Sequence, residues 1–402
     1  MTAIAEEITT IEQQATAAVI SGVVDLGDGR GYLRTTGYRR SAGDIPITPA
    51  QVHQYGLRTG DHIEGTAGSR QAKVQSGKAQ QTKAQQTRAQ QGRPREDKAL
   101  LTVESVNGLP AAEARHRRHF DDLTPVYPNQ RFRLEDGDPS RTARIIGLVS
   151  PIGKGQRGLI VAPPKAGKTT VLRTIAHAIA TAYPEVHLML VLVGERPEEV
   201  TDLRRTVRGE VVSSTFDQSP ADHIKAAELA IERAKRLAEL GQDVVVMLDS
   251  LTRLGRAYNL AAPASSRTLT GGVAVSALQP PRQFLGAARC LEEGGSLTIL
   301  STALIDTGSQ LDNVLFEEFK GTGNMELRLR RDLAEKRMFP AIDPVPSGTR
   351  REDLLMDPAE HAAIISLRRA LAALDSQHAL ELLLDKTAAP NAQFLRQVTA
   401  AS

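Results

Sequence analysis

The sequence has few of the residues that supply covalent constraint or soft metal ligands. One cysteine among 402 residues excludes a disulfide framework and any cysteine-based zinc or iron–sulfur site. Aromatic residues make up only 3%, with no tryptophan, so aliphatic side chains must fill the core. No apolar run reaches the ~18 residues of a membrane span, and acidic residues near the N-terminus argue against a secretory signal. We therefore expect a cytoplasmic protein with no membrane partner.

Acidic residues are missing from one segment, residues 70–95, although the whole chain is nearly balanced at +3. Basic residues recur there at every fifth position, namely Lys73, Lys78, Lys83, Arg88 and Arg93. The Ala, Gln and Thr residues between them offer too little apolar surface to offset the entropy of ordering the chain. We predict a disordered basic insertion. It is either a solvated spacer or a sequence-independent contact for phosphate backbones.

The N-terminal quarter alternates short β-prone pieces with turns. After a helical segment over residues 1–20, pieces such as SGVVDL, GYLRT and HIEGT are separated by Gly, Asp and Pro. This pattern over residues 21–107 predicts a small five-stranded β-barrel, which the basic insertion interrupts.

The rest of the chain has an α/β pattern. After a linker over residues 108–140 come five apolar runs of strand length, LIVAP, HLMLVLV, VVSSTF, DVVVMLD and LTILSTALI, with helical stretches between several of them. Strands this apolar are buried on both faces, which is typical of a mostly parallel sheet covered by helices. We assign this domain to residues 141–355 and a helical segment to residues 356–402.

A phosphate-binding motif joins the first of these strands to a helix. Residues Ala162–Thr169 read AxxxxGKT, with alanine in place of the usual first glycine. The backbone N–H groups of such a loop, at a helix N-terminus, surround a phosphate chain. We expect Lys168 to contact the β- and γ-phosphates and the hydroxyl of Thr169 to ligate Mg²⁺.

Two later strands of the predicted sheet end in carboxylates. Asp249 follows the run Val244–Leu248, and Glu195 lies one residue beyond the run Leu190–Val193. Ligands of open parallel sheets bind at the carboxyl ends of the strands. Asp249 is then placed to hold Mg²⁺, and Glu195 to orient or deprotonate the attacking water. The pair favours ATP hydrolysis over nucleotide binding alone.

Longer strings in this half resemble the bacterial family of transcription termination factor Rho. They are RGLIVAPPKAGKT, ERPEEVTDLRR, LDSLTRLGRAYN, LTGGV, GAARCLEEGGSLTILSTALIDTGS, EEFKGTGNMEL, AEKRMFPAID and SGTRREDLL. The resemblance covers about residues 20–355. It implies an RNA-binding barrel of the oligonucleotide-binding (OB) or cold-shock type, followed by a RecA-like P-loop ATPase. It further implies an RNA-dependent ATPase and helicase, a homohexamer that translocates along single-stranded RNA and acts on the RNA polymerase elongation complex.

Matching positions carry the family's site residues. The resemblance makes Glu195 and Lys168 catalytic and Arg350 an arginine finger supplied by the neighbouring subunit. It implies that Phe339 stacks on the adenine and that Thr169 and Asp249 hold the metal. The full nucleotide-binding set is Lys165, Ala166, Gly167, Lys168, Thr169, Thr170, Arg196, Asp249, Arg337 and Phe339.

RNA contacts are implied in two pore loops and in the barrel. The residues are Arg267, Thr270, Gly271 and Gly272 in the first loop, Gly308 and Ser309 in the second, and Tyr32 and Arg34 in the barrel. Several positions depart from the family pattern. Gln310 replaces a lysine of the second loop, and Arg30 and Pro46 replace aromatic residues of the barrel. Ala274 and Gly194 stand where acids are usual.

These departures leave alternatives open. A divergent relative that binds RNA and ATP in a regulatory role, with weak or no translocation, is the second hypothesis. A DNA-strand or rotary-type ATPase on a related fold is the third, and the barrel in front of the ATPase domain argues against it.

Overall fold

The computed structural model describes residues 18–27, 29–69, 98–269 and 271–401, which fall into two compact units. The barrel unit ends at His116, and the sheet unit begins at Arg117. Most of the predicted N-terminal helix and all of the basic insertion lie outside the described residues.

The barrel unit is an antiparallel sheet with the strand order β3-β2-β1-β4-β5-β6, in which β3 also lies against β5. Its elements are β1 (Ala18–Gly27), β2 (Arg30–Arg34), β3 (Ile45–Ile47), α1 (Pro49–Tyr55), β4 (His62–Ser69), β5 (Lys98–Val106), β6 (Leu109–Pro110) and α2 (Ala111–Ala114). Val24, Leu33, Ile63 and Val106 are fully buried inside it. The predicted small barrel is confirmed, with a short sixth strand that we did not expect.

The prediction of a helical segment over residues 1–20 is wrong for residues 18–20, which are part of a strand. Ala18, Val19 and Ile20 open β1 and pair with Ala67, Thr66 and Gly65 of β4. Pairing with β4 overrides the weak helical spacing, which β-branched residues disfavour.

The sheet unit is built on a nine-stranded sheet. Its central strands follow the order β12-β11-β13-β17-β10-β18 and are parallel throughout. The strands of this unit are β7 (Pro125–Val126), β8 (Arg131–Phe132), β9 (Ile152–Gly153), β10 (Arg157–Ala162), β11 (His187–Glu195), β12 (Glu210–Thr215), β13 (Asp243–Asp249), β14 (Thr268–Leu269), β15 (Val273–Ala274), β16 (Arg289–Leu291), β17 (Ser296–Leu304), β18 (Met325–Arg328) and β19 (Gly348–Thr349). All five predicted apolar runs are strands of this sheet.

Helices separate several of these strands along the chain. They are α3 (Leu134–Gly137), α4 (Arg141–Val149), α5 (Lys168–Ala182), α6 (Pro197–Thr206), α7 (Pro220–Ala238), α8 (Leu251–Ala261), α9 (Gln279–Gly286), α10 (Gln310–Lys320), α11 (Arg331–Glu335), α12 (Pro358–Ala372), α13 (Ser376–Lys386) and α14 (Asn391–Ala401). Ser219 caps α7 through a reciprocal bond with Asp222, with Pro220 in the first turn. None of the helices in the described ranges has the length and apolar composition that a bilayer span requires.

The C-terminal helices belong to the core of the sheet unit. Ile364, Leu367, Leu380 and Leu383 are buried in the same cluster as the central strands. Arg368 of α12 donates through Nη2 to the carbonyl of Val149 at 2.8 Å, which ties the helix to the end of α4.

The linker predicted over residues 108–140 is not a separate segment. Residues 109–114 form β6 and α2 of the barrel unit, whereas Phe120, Phe132 and Leu134 are buried in the sheet unit. Burial of these apolar side chains draws both halves of the segment into the neighbouring folds.

Candidate nucleotide and RNA sites

The phosphate loop connects β10 to α5 at the carboxyl edge of the sheet. Lys165 and Gly167 have φ angles of 67° and 89°, in the left-handed region, so the backbone curls around the N-terminus of α5. Within the described chain, no side chain caps this helix end. Its first N–H groups and the helix dipole therefore favour an anion, as the motif predicts. Ala166 is buried, while Lys165 and Thr170 are exposed at either end of the loop.

The side chain of Lys168 lies between the two predicted carboxylates. Its Nζ donates to Oε1 of Glu195 at 3.0 Å and contacts Oδ1 of Asp249. Asp249 also accepts a hydrogen bond from Thr302 at 2.7 Å. Both acids are the last residues of their strands and are almost fully buried, Glu195 ending β11 rather than following it. The structure thus brings together the three groups that the sequence pattern selected.

The electrostatics of this cluster suit proton transfer. Burial lowers the pKa of Lys168, but Asp249 and Glu195 raise it more, so the net shift is upward. Burial raises the pKa of Glu195, the charge of Asp249 raises it further, and Lys168 and Arg253 only partly oppose the rise. Glu195 is therefore a stronger base than an exposed glutamate, as a group that accepts a proton from water needs to be.

Arg253 is a site residue that the sequence reasoning missed. Its Nη1 lies 2.9 Å from Oε1 of Glu195 and also donates to the carbonyl of Gly194. Gly194 has a φ of 67° at a bulge in β11, and a Cβ there would be 3.0 Å from Cδ of Arg253. Glycine at this position therefore leaves room for the arginine. The available signal was the position of Arg253 in the first turn of the helix that follows Asp249.

Phe339 lies beside the phosphate loop. Its side chain is 51% exposed, and its ring would be 3.9 Å from a Cβ built on Gly167. An exposed aromatic ring next to a phosphate loop can stack on a base. Arg337 and Arg196 are also exposed, and the side chain of Arg196 is within 3.7 Å of Glu199.

Arg350 lies at the opposite edge of the sheet from its own phosphate loop. Its backbone N–H donates to the carbonyl of Asn324, which precedes β18, and β18 runs parallel to β10. Asn324 therefore lies beside the first residue of β10, and the phosphate loop follows the last one. The six residues of β10 between these two points span about 20 Å. The guanidinium is exposed, and no described residue pairs with it. The pKa of Arg157 is lowered, first by burial and then by the positive charges of Arg289 and Arg350. Arg157 is therefore close enough to both of these arginines to be repelled by them.

In the barrel unit, Tyr32 of β2 is half-buried between cross-strand neighbours. Asp25 of β1 and Pro46 of β3 are its register partners. The guanidinium of Arg34 lies 5.3 Å from the ring centroid of Tyr32. Arg34 itself is buried and pairs with Asp25 and with Asp44. A base stacked on Tyr32 would thus meet an arginine–carboxylate group rather than a free cation.

The two predicted pore loops meet within one chain. Gly271 and Gly272 turn the hairpin of β14 and β15, both with positive φ, and a Cβ on Gly271 would lie 3.3 Å from Gln310. Ser309 caps α10 by accepting from the N–H of Asp312, so its side chain is committed to the helix. Arg267 and Gly308 are exposed, and Thr270 lies outside the described residues.

Family models match both units. The model of the ATP synthase alpha/beta family nucleotide-binding domain matches residues 142–349, and that of the Rho termination factor RNA-binding domain matches residues 20–112.

Relatives match along nearly the whole chain. Transcription termination factor Rho of Streptomyces lividans is 56% identical over 94% of this chain and 51% of its own length. Rho of Streptosporangium roseum is 54% identical over 96% of this chain and 94% of its own length. The chain thus spans about half of the Streptomyces lividans relative and nearly all of the Streptosporangium roseum one.

Solved structures share the fold of the sheet unit. An ATPase from a bacterial type III secretion system aligns with a TM-score of 0.54 and 27% identity, over 63% of this chain and 71% of that one. The assembled ATPase EscN of enteropathogenic E. coli aligns with a TM-score of 0.53 and 26% identity, over 62% of this chain and 59% of that one.

Proposed function

Because the chain belongs to the transcription termination factor Rho family, we propose that it hydrolyses ATP to move along single-stranded RNA and thereby terminates transcription. The cluster of Lys168, Glu195, Asp249 and Arg253 behind the phosphate loop carries this proposal. It supplies a cation for the phosphates, a base of raised pKa and a carboxylate for a metal.

In the proposed mechanism, Lys168 and the N–H groups at the start of α5 hold the phosphate chain. Glu195 orients the attacking water and accepts its proton, while Arg253 keeps that carboxylate in place. Phe339 stacks on the adenine, and the exposed Lys165, Thr170, Arg196 and Arg337 line the approaches.

Magnesium fits the oxygen donors present. Oδ1 of Asp249 is engaged by Lys168 and Thr302, but no described residue bonds to Oδ2, so this oxygen is available to a metal or its water. The hydroxyl of Thr169 would be the second oxygen ligand, and oxygen ligands are those that Mg²⁺ prefers. When bound, the ion would neutralise charge on the transferred phosphoryl group.

Arg350 supports a shared site. Its location at the amino-terminal end of β18, without a described side-chain partner, supports a role at the nucleotide of a neighbouring subunit. We therefore propose a homohexameric ring, with RNA held in the pore by the loops around Arg267, Gly271 and Gly308. Its target would be the RNA polymerase elongation complex in the cytoplasm.

A regulatory RNA- and ATP-binding role is the second candidate. Gln310 favours it, because this residue starts α10 beside Gly271, where the family carries a lysine. Loss of that charge removes one phosphate contact per subunit from the moving loop.

ATP turnover with and without a pyrimidine-rich RNA separates these roles. We expect the RNA to stimulate turnover strongly in the wild-type chain and not at all in Lys168→Ala, the matched control. Nucleotide binding without stimulation would reject the motor in favour of the regulatory role. Stimulation by duplex DNA alone would reject both.

A further inference from the structure

The backbone of Arg350 is anchored at the amino-terminal edge of the sheet. Its N–H donates to the carbonyl of Asn324 at 2.8 Å, directly after β19 and directly before β18. The preceding residue is also held, because the hydroxyl of Thr349 donates to the carbonyl of Pro151 at 2.7 Å. The guanidinium of Arg350 is exposed and makes no hydrogen bond or ion pair with a described residue. A fixed backbone therefore carries an uncommitted side chain.

The side chain of Asn324 ties this anchor to the start of β10. Its Oδ1 accepts from the backbone N–H of Arg157 at 2.9 Å and from Nε2 of Gln156 at 2.6 Å. The backbone N–H of Asn324 donates in turn to the carbonyl of Arg157 at 2.9 Å. Gln156 is 1% exposed, and its Oε1 accepts from the N–H of Gly153, so the amide that supports Asn324 is itself fixed.

The backbone around Asn324 depends on these side-chain bonds. Gly321 and Gly323 precede Asn324 in the turn between α10 and β18, and glycine loses more conformational freedom on ordering than other residues. Strand β19, which carries Arg350 at its end, has only two residues. Without Oδ1 of Asn324, the turn that presents its carbonyl to Arg350 would lose two of the hydrogen bonds that hold it.

The charge at this edge disfavours contact between Arg350 and its own chain. The guanidinium of Arg157 donates to the carbonyls of Thr322 and Ala288 at 3.1 and 3.2 Å, and no described carboxylate pairs with it. Burial, and then the charges of Arg289 and Arg350, lower the pKa of Arg157. Repulsion between Arg157 and Arg350 therefore opposes any conformation in which Arg350 folds back over the start of β10.

We infer that Asn324, supported by Gln156, positions the arginine finger, an assignment that rests on the proposed function of Arg350. Asn324 fixes the peptide whose carbonyl holds the backbone of Arg350, and it thereby sets the reach of the guanidinium toward the phosphates of the next subunit. The phosphate loop of the same chain lies about 20 Å away at the other end of β10. Because β10 is paired with β17 and with β18, that far end is held without Asn324.

Asn324→Ala should therefore damage the finger of its own chain and spare the phosphate loop. Measured with a pyrimidine-rich RNA, kcat should fall about tenfold to a hundredfold, the cost of a small misplacement of a catalytic group. The KM for ATP should change by less than about threefold, because the nucleotide is bound mainly by the loop. Gln156→Leu should act in the same direction, since it removes the amide that supports Asn324.

Subunit mixing distinguishes a positioning role from a general structural one. Asn324→Ala mixed with Lys168→Ala should give more turnover than the mean of the separate variants, because one chain supplies the loop and the other the finger. Mixed with Arg350→Ala it should give none beyond that mean, because both chains then lack a working finger. Gln242→Ala is the matched control. It removes an exposed amide at the same edge, before β13, that bonds to no described residue, and it should turn over ATP as the wild type does.

Three results would overturn the role of Asn324. They are wild-type kcat in Asn324→Ala, recovery with Arg350→Ala, which would show a working finger, and recovery with neither partner, which would show a general structural defect. The shared site has its own test, which is the mixture of Lys168→Ala with Arg350→Ala. If these two variants do not complement each other, the proposed function of Arg350 fails, and the role of Asn324 fails with it.

Discussion

Lys168 holds two buried carboxylates that would otherwise repel each other. Glu195 and Asp249 are 3% and 1% exposed, and burial of two such charges is tolerable only when they are paired. Arg253 adds a second cation from the adjoining helix. Two cations therefore balance the two acids in this cluster. In the proposed mechanism, a phosphate chain that takes Lys168 would leave the two acids free for water and a metal.

Glu195→Gln should reduce kcat about 10²–10⁴-fold, because an amide cannot accept the proton of the attacking water. ATP binding should persist, since Lys168 and the loop are untouched. Turnover and nucleotide affinity, measured on the same preparation, check this. An activity within a factor of three of wild type would remove Glu195 from its catalytic role.

The pH profile should carry the signature of the same carboxylate. The folded pKa of Glu195 is raised, so its active, ionised form is lost as pH falls through a value above the ordinary ~4.3 of glutamate. Folding stability responds to the same shift in the other direction. The contribution of Glu195 to the free energy of unfolding is present at low pH and is lost as pH rises through the raised pKa. We expect the acid limb of kcat/KM to appear while the protein stays folded. A limb that coincides with acid unfolding would contradict this.

At the scale of elements, the barrel has kept its strands and lost aromatic surface. Tyr32 faces Pro46 across the sheet, and Arg30 starts β2 where the family has an aromatic residue. A stacked base contributes about 1–3 kcal/mol to binding. With fewer aromatic residues, we expect electrostatic attraction to supply a larger share of the RNA affinity. We propose that the basic insertion between β4 and β5 supplies that charge.

Deletion of residues 70–95 should flatten the salt dependence of RNA binding. Ser69 and Lys98 are register partners, so the remaining Glu96 and Asp97 can connect the strands as a two-residue turn. A plot of log K for RNA binding against log salt concentration has a negative slope. Each lost phosphate contact should make that slope less steep by about 0.7. A variant of the same length separates charge from spacing if Gln replaces all seven basic residues of this segment, which are Arg70, Lys73, Lys78, Lys83, Arg88, Arg93 and Arg95. An unchanged slope in both would identify the insertion as a spacer.

At the scale of the whole molecule, the nucleotide site that we propose is incomplete in one chain. The phosphate loop and Arg350 lie at opposite edges of the same sheet, so no local rearrangement brings them together. Activity should therefore depend on assembly. An arginine finger contributes about 10³–10⁵ to the rate.

Mixing two inactive variants tests that dependence. Lys168→Ala retains the finger, and Arg350→Ala retains the loop, so roughly a quarter of the interfaces in an equal mixture should be intact. We expect partial recovery of ATP turnover on mixing, and none when either variant is mixed with itself. A monomer that hydrolyses ATP at full rate, or an Arg350→Ala chain with normal turnover, would contradict the shared site.

Much of this protein was readable in its sequence. Apolar runs bounded by turns predicted the central strands, because burial on both faces demands continuous hydrophobicity. The phosphate motif and the acids after two strands predicted the catalytic cluster, since parallel strands end at a common edge. These features depend on residues that are close along the chain or on one rule of topology.

Other features depend on contacts between distant segments, which no local pattern records. Ala18–Ile20 became a strand through pairing with β4, and residues 108–140 were divided between two cores by where Phe120 and Leu134 are buried. Arg253 reaches Glu195 only because α8 packs beside β11. Glu135 and Asn391, which are 256 positions apart in the chain, likewise border one cleft. Only the tertiary structure determines these contacts between distant residues. They follow from the packing of the whole chain rather than from the sequence neighbours of any one residue.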